Sequence, residues 1–371
     1  MYQDVRISIL GKWNNFKFID LFAGIGGIRL GFESVGGKCV FSSEWDEQAC
    51  KTYSANFGEK PFGDITKIES FSIPDFDILL GGFPCQPFSI IGDKEGFKHE
   101  TQGTLFFEIE RILKDKKPSA FMLENVRNLL SHDNGKTIDI ILAHLNSLGY
   151  NVYINVLNAI DYGLPQKRER VIICGFLNDV NFKFPLPVSK KKSLTLNDIF
   201  EPEYLLDRNL WVNDKIKNSR KERMKYEIEK PYITHENVGG NVTPHHFSCA
   251  LRAGASANYI LINNERRPSA RELLRLQGFP ETFKIVVPYS SIKKQTGNSV
   301  AVPVIKAVAK EMLSALSKYE MENGNDDSGT SKKCIRYYNK KISCSFIQTN
   351  SDCGDIVSRK KKSKQLQFTF A

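Results

Sequence analysis

The chain has no apolar run near the ~18 to 20 residues that a membrane span needs. Its polar start, MYQDVRISILGKWNN, lacks the sustained apolar core of a secretory signal. A cytoplasmic location is the expectation. No CxxC pair occurs among the eight cysteines, and the six histidines fall at no metal-ligand spacing. Neither disulfides nor zinc is therefore expected, and no internal repeat organises the chain. What is present is an ordinary globular composition, 371 residues of which 41% are hydrophobic, enough for a real core and about two domains.

A net charge of +10 favours a polyanionic partner. Most of the excess lies in the tail, where Lys332 to Lys364 holds ten Lys and Arg against two Asp. That tail, residues 320–371, contains ENGNDDSGTSKK from Glu322 and reads as a flexible basic extension. Its IRYYNKKISCSFI and SRKKKSK stretches interleave basic and aromatic residues, a pattern suited either to phosphate and base contacts or to a solvated extension.

The first half alternates short buried-strand runs with helical periods. FKFIDLF, CVFSSEW, FDILLGG, SAFMLEN and RVIICGF read as strands. GGIRLGFESVG, TLFFEIERILKD and GKTIDIILAHLNSLG carry apolar residues at helical spacing. This alternation predicts an α/β fold with a mostly parallel sheet covered on both faces. After Phe184 the texture becomes polar and irregular, predicting a second, smaller domain over 185–284. Helical order returns with NSVAVPVIKAVAKEMLSALSKY, so a first domain over 1–184 is completed by 285–319.

FIDLFAGIGGIRLGFE passes from strand through a glycine turn into a helix, the setting of a nucleotide-binding loop. Gly24, Gly26 and Gly27 suit that turn, but Arg29 stands where the dinucleotide fingerprint wants another glycine. Structural turn and cofactor loop both remain open on this motif alone. Glu44 lies 20 residues after Gly24 at the end of the second strand, where a ribose hydroxyl is held in such folds. Trp45 offers a flat face to a purine, and Asp64 an acceptor for an adenine amine. Singly, Glu44 and Asp64 read as helix caps; with the glycines they favour an adenosine site.

In GGFPCQPFSIIG, Cys85 follows an apolar strand, and Pro84 and Pro87 fix two backbone angles beside it. A buried inert thiol is the plain alternative; the prolines and glycines favour a nucleophile held in one direction. Glu124 and Asn125 end another apolar strand, where burial raises a carboxyl's pKa. Arg168 and Arg170 in QKRER are two apart and share a face if they lie on a strand. No histidine is close in sequence to deprotonate Cys85.

The order of FIDLFAGIGG, GGFPCQPFS, ENVRNL, QKRERV, RPSARELLRLQGFP and QTGNSVAVP, across residues 16 to 316, resembles the cytosine carbon-5 DNA methyltransferases of bacterial restriction-modification. The resemblance implies a Rossmann-like, S-adenosyl-L-methionine-dependent sheet, with 185–284 as target-recognition domain. It implies that Cys85 attacks carbon 6 of a flipped-out cytosine in duplex DNA, that Glu124 engages ring nitrogen 3, and that Arg168 and Arg170 lie near the base. Phe22, Gly24 and Gly26 are then expected to line the cofactor, Glu44 to hold its ribose, and Trp45, Asp64 and Ile65 its adenine. Leu105, Asn298 and Ser299 complete that pocket, while GDKEGFKHETQG (92–103) closes over the base as a loop. A monomer paired with a restriction endonuclease is implied. Where many relatives carry Thr-Leu this chain has Ala250 and Leu251, so base contacts are not carried across and the target site is left open. A transfer RNA methyltransferase of related fold and a DNA-binding module without chemistry are the competing readings; the retained Cys85, Glu124 and arginines argue against the latter.

Overall fold

The computed structural model describes residues 11–84, 104–189 and 193–323, all within one compact unit. Cys85, the 92–103 loop and the tail from 324 lie outside the described residues.

Strands β1 (Lys17–Leu21), β2 (Lys38–Ser43), β3 (Ile78–Gly82), β4 (Ala120–Val126), β5 (Asn151–Asn158) and β7 (Glu169–Phe176) form a six-stranded sheet in the order β2-β1-β3-β4-β7-β5. A two-residue strand, β6 (Gln166–Lys167), precedes β7. The first four strands run parallel, and β7 runs antiparallel to both β4 and β5. Their near-continuous apolar runs follow from burial on both faces. Alternate residues of β1 part accordingly: Phe18 packs with α1 (Gly27–Glu33), while Ile19 and Leu21 join the opposite layer.

That opposite layer includes α3 (Thr104–Lys116) and α4 (Lys136–Ser147), contributing Ile109, Ile112, Ile141 and Leu145. α2 (Glu47–Phe57) follows β2. β5 was not among the strands expected from sequence. Its NVYINVLN is almost wholly half-buried at the sheet's edge and mixes asparagines with its apolar residues, so the run of apolar residues is too weak to signal it.

Beyond β7 come α5 (Leu196–Ile199), α6 (Asp214–Glu222), β8 (Ile233–Glu236), β9 (Val242–His245), β10 (Ser248–Cys249), β11 (Ile260–Ile262) and α7 (Ala270–Leu276). β11, β8 and β9 make a small antiparallel sheet, and Leu196, Ile233, Leu251, Ile260 and Leu273 share a core of their own. β10 pairs in parallel with β6, fastening this region to the large sheet's connection. At the start of α7, Ser269 and Glu272 form a reciprocal cap, and Glu272 also takes a bidentate ion pair from buried Arg266 at 2.7 Å. Finally α8 (Tyr289–Asn298) leads into α9 (Val302–Asn323), which returns to pack Ile305, Val308 and Met312 on the same layer as α1. Among the described residues no helix is long and apolar enough to cross a membrane, and no cluster of His, Cys, Asp and Glu could hold a metal ion.

Candidate active site

The parallel strands end at a cavity of about 500 Å³, at the edge where open α/β sheets gather their ligands. After β1 the chain turns through Phe22 (φ 57°), Gly24 (φ 56°) and Gly26 (φ 80°) before α1 begins. Left-handed backbone costs a residue with a side chain about 1 kcal/mol or more, and Phe22 accepts it with its ring at the cavity wall. Gly26 has no alternative, since a Cβ there would lie 2.3 Å from the Phe57 ring.

This turn is locked to β2 by Glu44. One carboxylate oxygen accepts the Gly24 N–H at 2.8 Å, and the other accepts those of Trp45 at 2.9 Å and Asp46 at 2.7 Å. Three backbone donors thus fix a carboxylate on the cavity wall. Beside it the Trp45 ring is 69% exposed, a large apolar face left to solvent. Asp64 caps a short helical turn, accepting from the Thr66 N–H and hydroxyl, and still lines the cavity with buried Ile65. Leu105 and Asn298 also reach the wall.

At the far end lie Glu124 and Arg170, joined by an Nε to Oε1 contact of 2.9 Å. Burial pushes the Glu124 carboxyl above its ordinary range, although Arg170 and Arg168 pull the other way. Asn125 next to it donates to the Phe83 carbonyl at 3.0 Å and accepts the Val126 N–H at 2.8 Å, tying the end of β4 to the start of the Pro84 turn. Pro84 itself is on the wall; Cys85, the next residue, lies outside the described residues.

Three expected site residues stand off the wall. Gly26 faces α2, as its approach to Phe57 requires. The Ser299 hydroxyl packs against Gly27. Arg168 lies between β6 and β7, and its buried guanidinium donates to the carbonyls of Leu251 at 2.9 Å, Gly297 at 3.0 Å and Ser299. Burial, with Arg170 adding to it, lowers its pKa to about 9.

Sequence reasoning missed Lys294 and Gln295, which line the cavity from α8. Lys294 pairs with Asp46 at 2.7 Å, and that hydrogen bond, more than any other cause, holds the Asp46 carboxyl below its usual range. It also passed over Asp20, fully buried on β1. Burial raises Asp20 to about 7 against the opposing charge of Arg29. An acid inside the apolar run FIDLF was the available signal.

A family model described as C-5 cytosine-specific DNA methylase matches residues 16–314. The type II methyltransferase M.HaeII of Haemophilus aegyptius is 55% identical over 302 residues, covering 81% of this chain and 94% of its own. M.HhaI of Haemophilus parahaemolyticus is 40% identical over 316 residues, covering 81% and 95%. Among solved structures, a putative DNA modification methyltransferase encoded in an E. coli prophage is similar with a TM-score of 0.61 at 20% identity, covering 81% of this chain and 99% of that one. That last likeness concerns the fold alone.

Proposed function

The chain belongs to the C-5 cytosine-specific DNA methylase family and is a DNA cytosine-5 methyltransferase of the type II restriction-modification kind, and from that premise we propose how its residues work. It takes the methyl group from S-adenosyl-L-methionine and places it on a cytosine swung out of a short duplex sequence. It acts as a monomer in the cytoplasm and protects host DNA from a cognate restriction endonuclease. The observation that carries this reading is the meeting, in one cavity, of the anchored Glu44 carboxylate with the buried Glu124–Arg170 pair.

The residues present fit the cofactor. A rigid carboxylate, an exposed indole, the Asp64 carboxyl and apolar Ile65 form the acceptor and surface set that an adenosine needs. Glu44 would hold the ribose hydroxyls, with Trp45, Asp64 and Ile65 around the adenine and Phe22, Gly24, Leu105 and Asn298 closing the remainder. Gly26 and Ser299 act one step back, shaping the turn and the helix start that these residues stand on. S-adenosyl-L-methionine, when bound, supplies the electrophilic methyl group that carbon 5 receives.

Swinging the base out costs a few kcal/mol of stacking and pairing, which protein contacts must offset. The Cys85 thiolate then adds to carbon 6, and the ring's electron pair moves toward nitrogen 3. Glu124, whose carboxyl burial raises above its ordinary range against the pull of Arg170, engages that nitrogen and stabilises the developing charge. Arg170 orients the Glu124 carboxyl, and Arg168 holds the wall behind it. Once carbon 5 carries its methyl group, loss of the carbon-5 proton to water and departure of the Cys85 thiolate restore the aromatic ring and the enzyme.

Cys85→Ser tests this directly, since a hydroxyl is a far weaker nucleophile at neutral pH. The variant should bind DNA and transfer no methyl groups, while wild-type protein should be trapped covalently by duplexes carrying 5-fluorocytosine at the target. Assays on duplex DNA and transfer RNA side by side distinguish the two nucleic acids. Normal turnover by the serine variant would refute the mechanism.

A further inference from the structure

A second concave site, of about 480 Å³, opens between the β8–β9 turn and the segment from Arg252 to Tyr259. The exposed guanidinium of Arg252 lies over the Tyr259 ring, 5.0 Å from its centroid, and has no carboxylate partner among the described residues. Its surroundings hold it still. The Arg252 N–H donates to the Tyr259 hydroxyl at 3.1 Å, Lys293 reaches the Ala255 carbonyl, and buried Arg220 reaches that of Asn258. Two cations, Lys293 and Arg220, thus brace one short loop, and two guanidinium nitrogens of Arg220 remain without a hydrogen-bond partner. The loop also runs directly behind the reaction cavity, because a Cβ at Gly297, which lines that cavity, would fall 2.3 Å from the Ala253 nitrogen.

We propose that Arg252 reads the major-groove edge of a guanine in the target sequence, with Tyr259, Lys293 and Arg220 as positioning residues. This rests on the DNA methyltransferase reading above. A guanidinium fork matches the two acceptors, N7 and O6, that guanine presents in the major groove. Glu236 on the same wall, one oxygen of which is paired with Arg223, leaves its second oxygen to distinguish base from phosphate. A carboxylate repels a phosphate, whereas it can accept from the cytosine amine of the same G·C pair. Val238, 97% exposed at the turn's tip, completes the wall with an apolar surface.

The wild-type protein is first given random-sequence duplexes, and bisulfite sequencing maps its site. Absence of any methylation at this step refutes the enzyme reading, not the assignment of Arg252. Each guanine of the mapped site is then replaced singly by 7-deazaguanine, which lacks the N7 acceptor. One replacement should lower wild-type kcat/KM by about fivefold or more and leave Arg252→Ala unaffected. Arg252→Ala should relax that single position by about 5- to 150-fold in discrimination, and Arg252→Lys should relax it too because charge alone does not supply the fork. Loss of rate on all sequences alike, with a shallower salt dependence, would make Arg252 a phosphate contact and overturn the proposal. So would a wild-type series in which no guanine replacement matters.

Discussion

Glu44→Ala removes the one group that both locks the glycine turn and faces the proposed ribose position. In the structure its carboxylate accepts from Gly24, Trp45 and Asp46 at 2.8, 2.9 and 2.7 Å. Hydrogen bonds to a charged group are worth roughly 1.5 to 3 kcal/mol, so loss of the ribose contacts should weaken S-adenosyl-L-methionine binding by about 10- to 150-fold. The three N–H groups also lose their acceptor, but they end near an open cavity where water replaces it. The expected loss of folding stability is therefore small, about 1 kcal/mol. Glu44→Gln removes the charge while keeping the size. It preserves size and one acceptor oxygen, yet turns an amide NH₂ toward backbone donors on the other side, so cofactor affinity should fall nearly as far as in the alanine variant. Calorimetric titration with the cofactor, beside urea unfolding, measures both quantities. Cofactor affinity within twofold of wild type in Glu44→Ala would refute the reasoning and leave Glu44 as a brace for the turn.

Further outcomes follow from other sites. Asp20, raised from 3.8 to about 7, binds its proton more tightly folded than unfolded, so its contribution favours folding below pH 4 and is lost as pH rises to 7. Asp20→Asn should therefore be more stable than wild type at pH 8, by up to about 4 kcal/mol, with the gap closing by pH 4; an equal gap at both pH values would show that the carboxyl's titration is not the cause. Glu272→Ala strands buried Arg266 and opens the α7 cap, which should cost about 3 to 5 kcal/mol in urea unfolding; a loss below about 1 kcal/mol would show the pair to be dispensable. Truncation after Asn323 should lower affinity for every DNA sequence alike and flatten the slope of log affinity against log salt by about 0.9 for each phosphate the tail neutralises. An unchanged slope would leave the tail without a role on DNA.

The parts legible in the sequence were those written in neighbouring residues. The β1–turn–α1 passage, Glu44 at the end of β2, and Glu124 at the end of β4 each announce themselves through a short local pattern. Lys294 did not, because its meaning lies in Asp46, which is 248 positions away and brought near only by the return of α8. The direction of Arg168 was equally hidden. Strand alternation places Arg170 toward Glu124, but the residue two before it lies between β6 and β7, where its guanidinium is taken up by three carbonyls from later in the chain. β5 failed to signal for a different reason, since an edge strand that is half-buried along its length need not be continuously apolar.

The joint beside β6 is built asymmetrically. From one side come side chains: Gln166 accepts the Leu251 N–H at 3.2 Å, and Arg168 donates to the Leu251 carbonyl. From the other side comes only main chain, including the Ser248 N–H that donates to the Pro165 carbonyl at 2.7 Å. A main-chain group is offered identically by almost any amino acid. The hydrogen bonds of the joint therefore do not depend on which side chains ride on 248–251, although buried Ser248 and Leu251 still set the space they fill. Replacing 185–267 by the matching stretch of a relative with another target should then yield a folded enzyme that methylates the donor's sequence, as bisulfite mapping would show; a folded, active chimera that kept the parental sequence would mean that reading is done elsewhere. Such a chimera would show that new specificities arise on this scaffold through changes confined to one side of the joint.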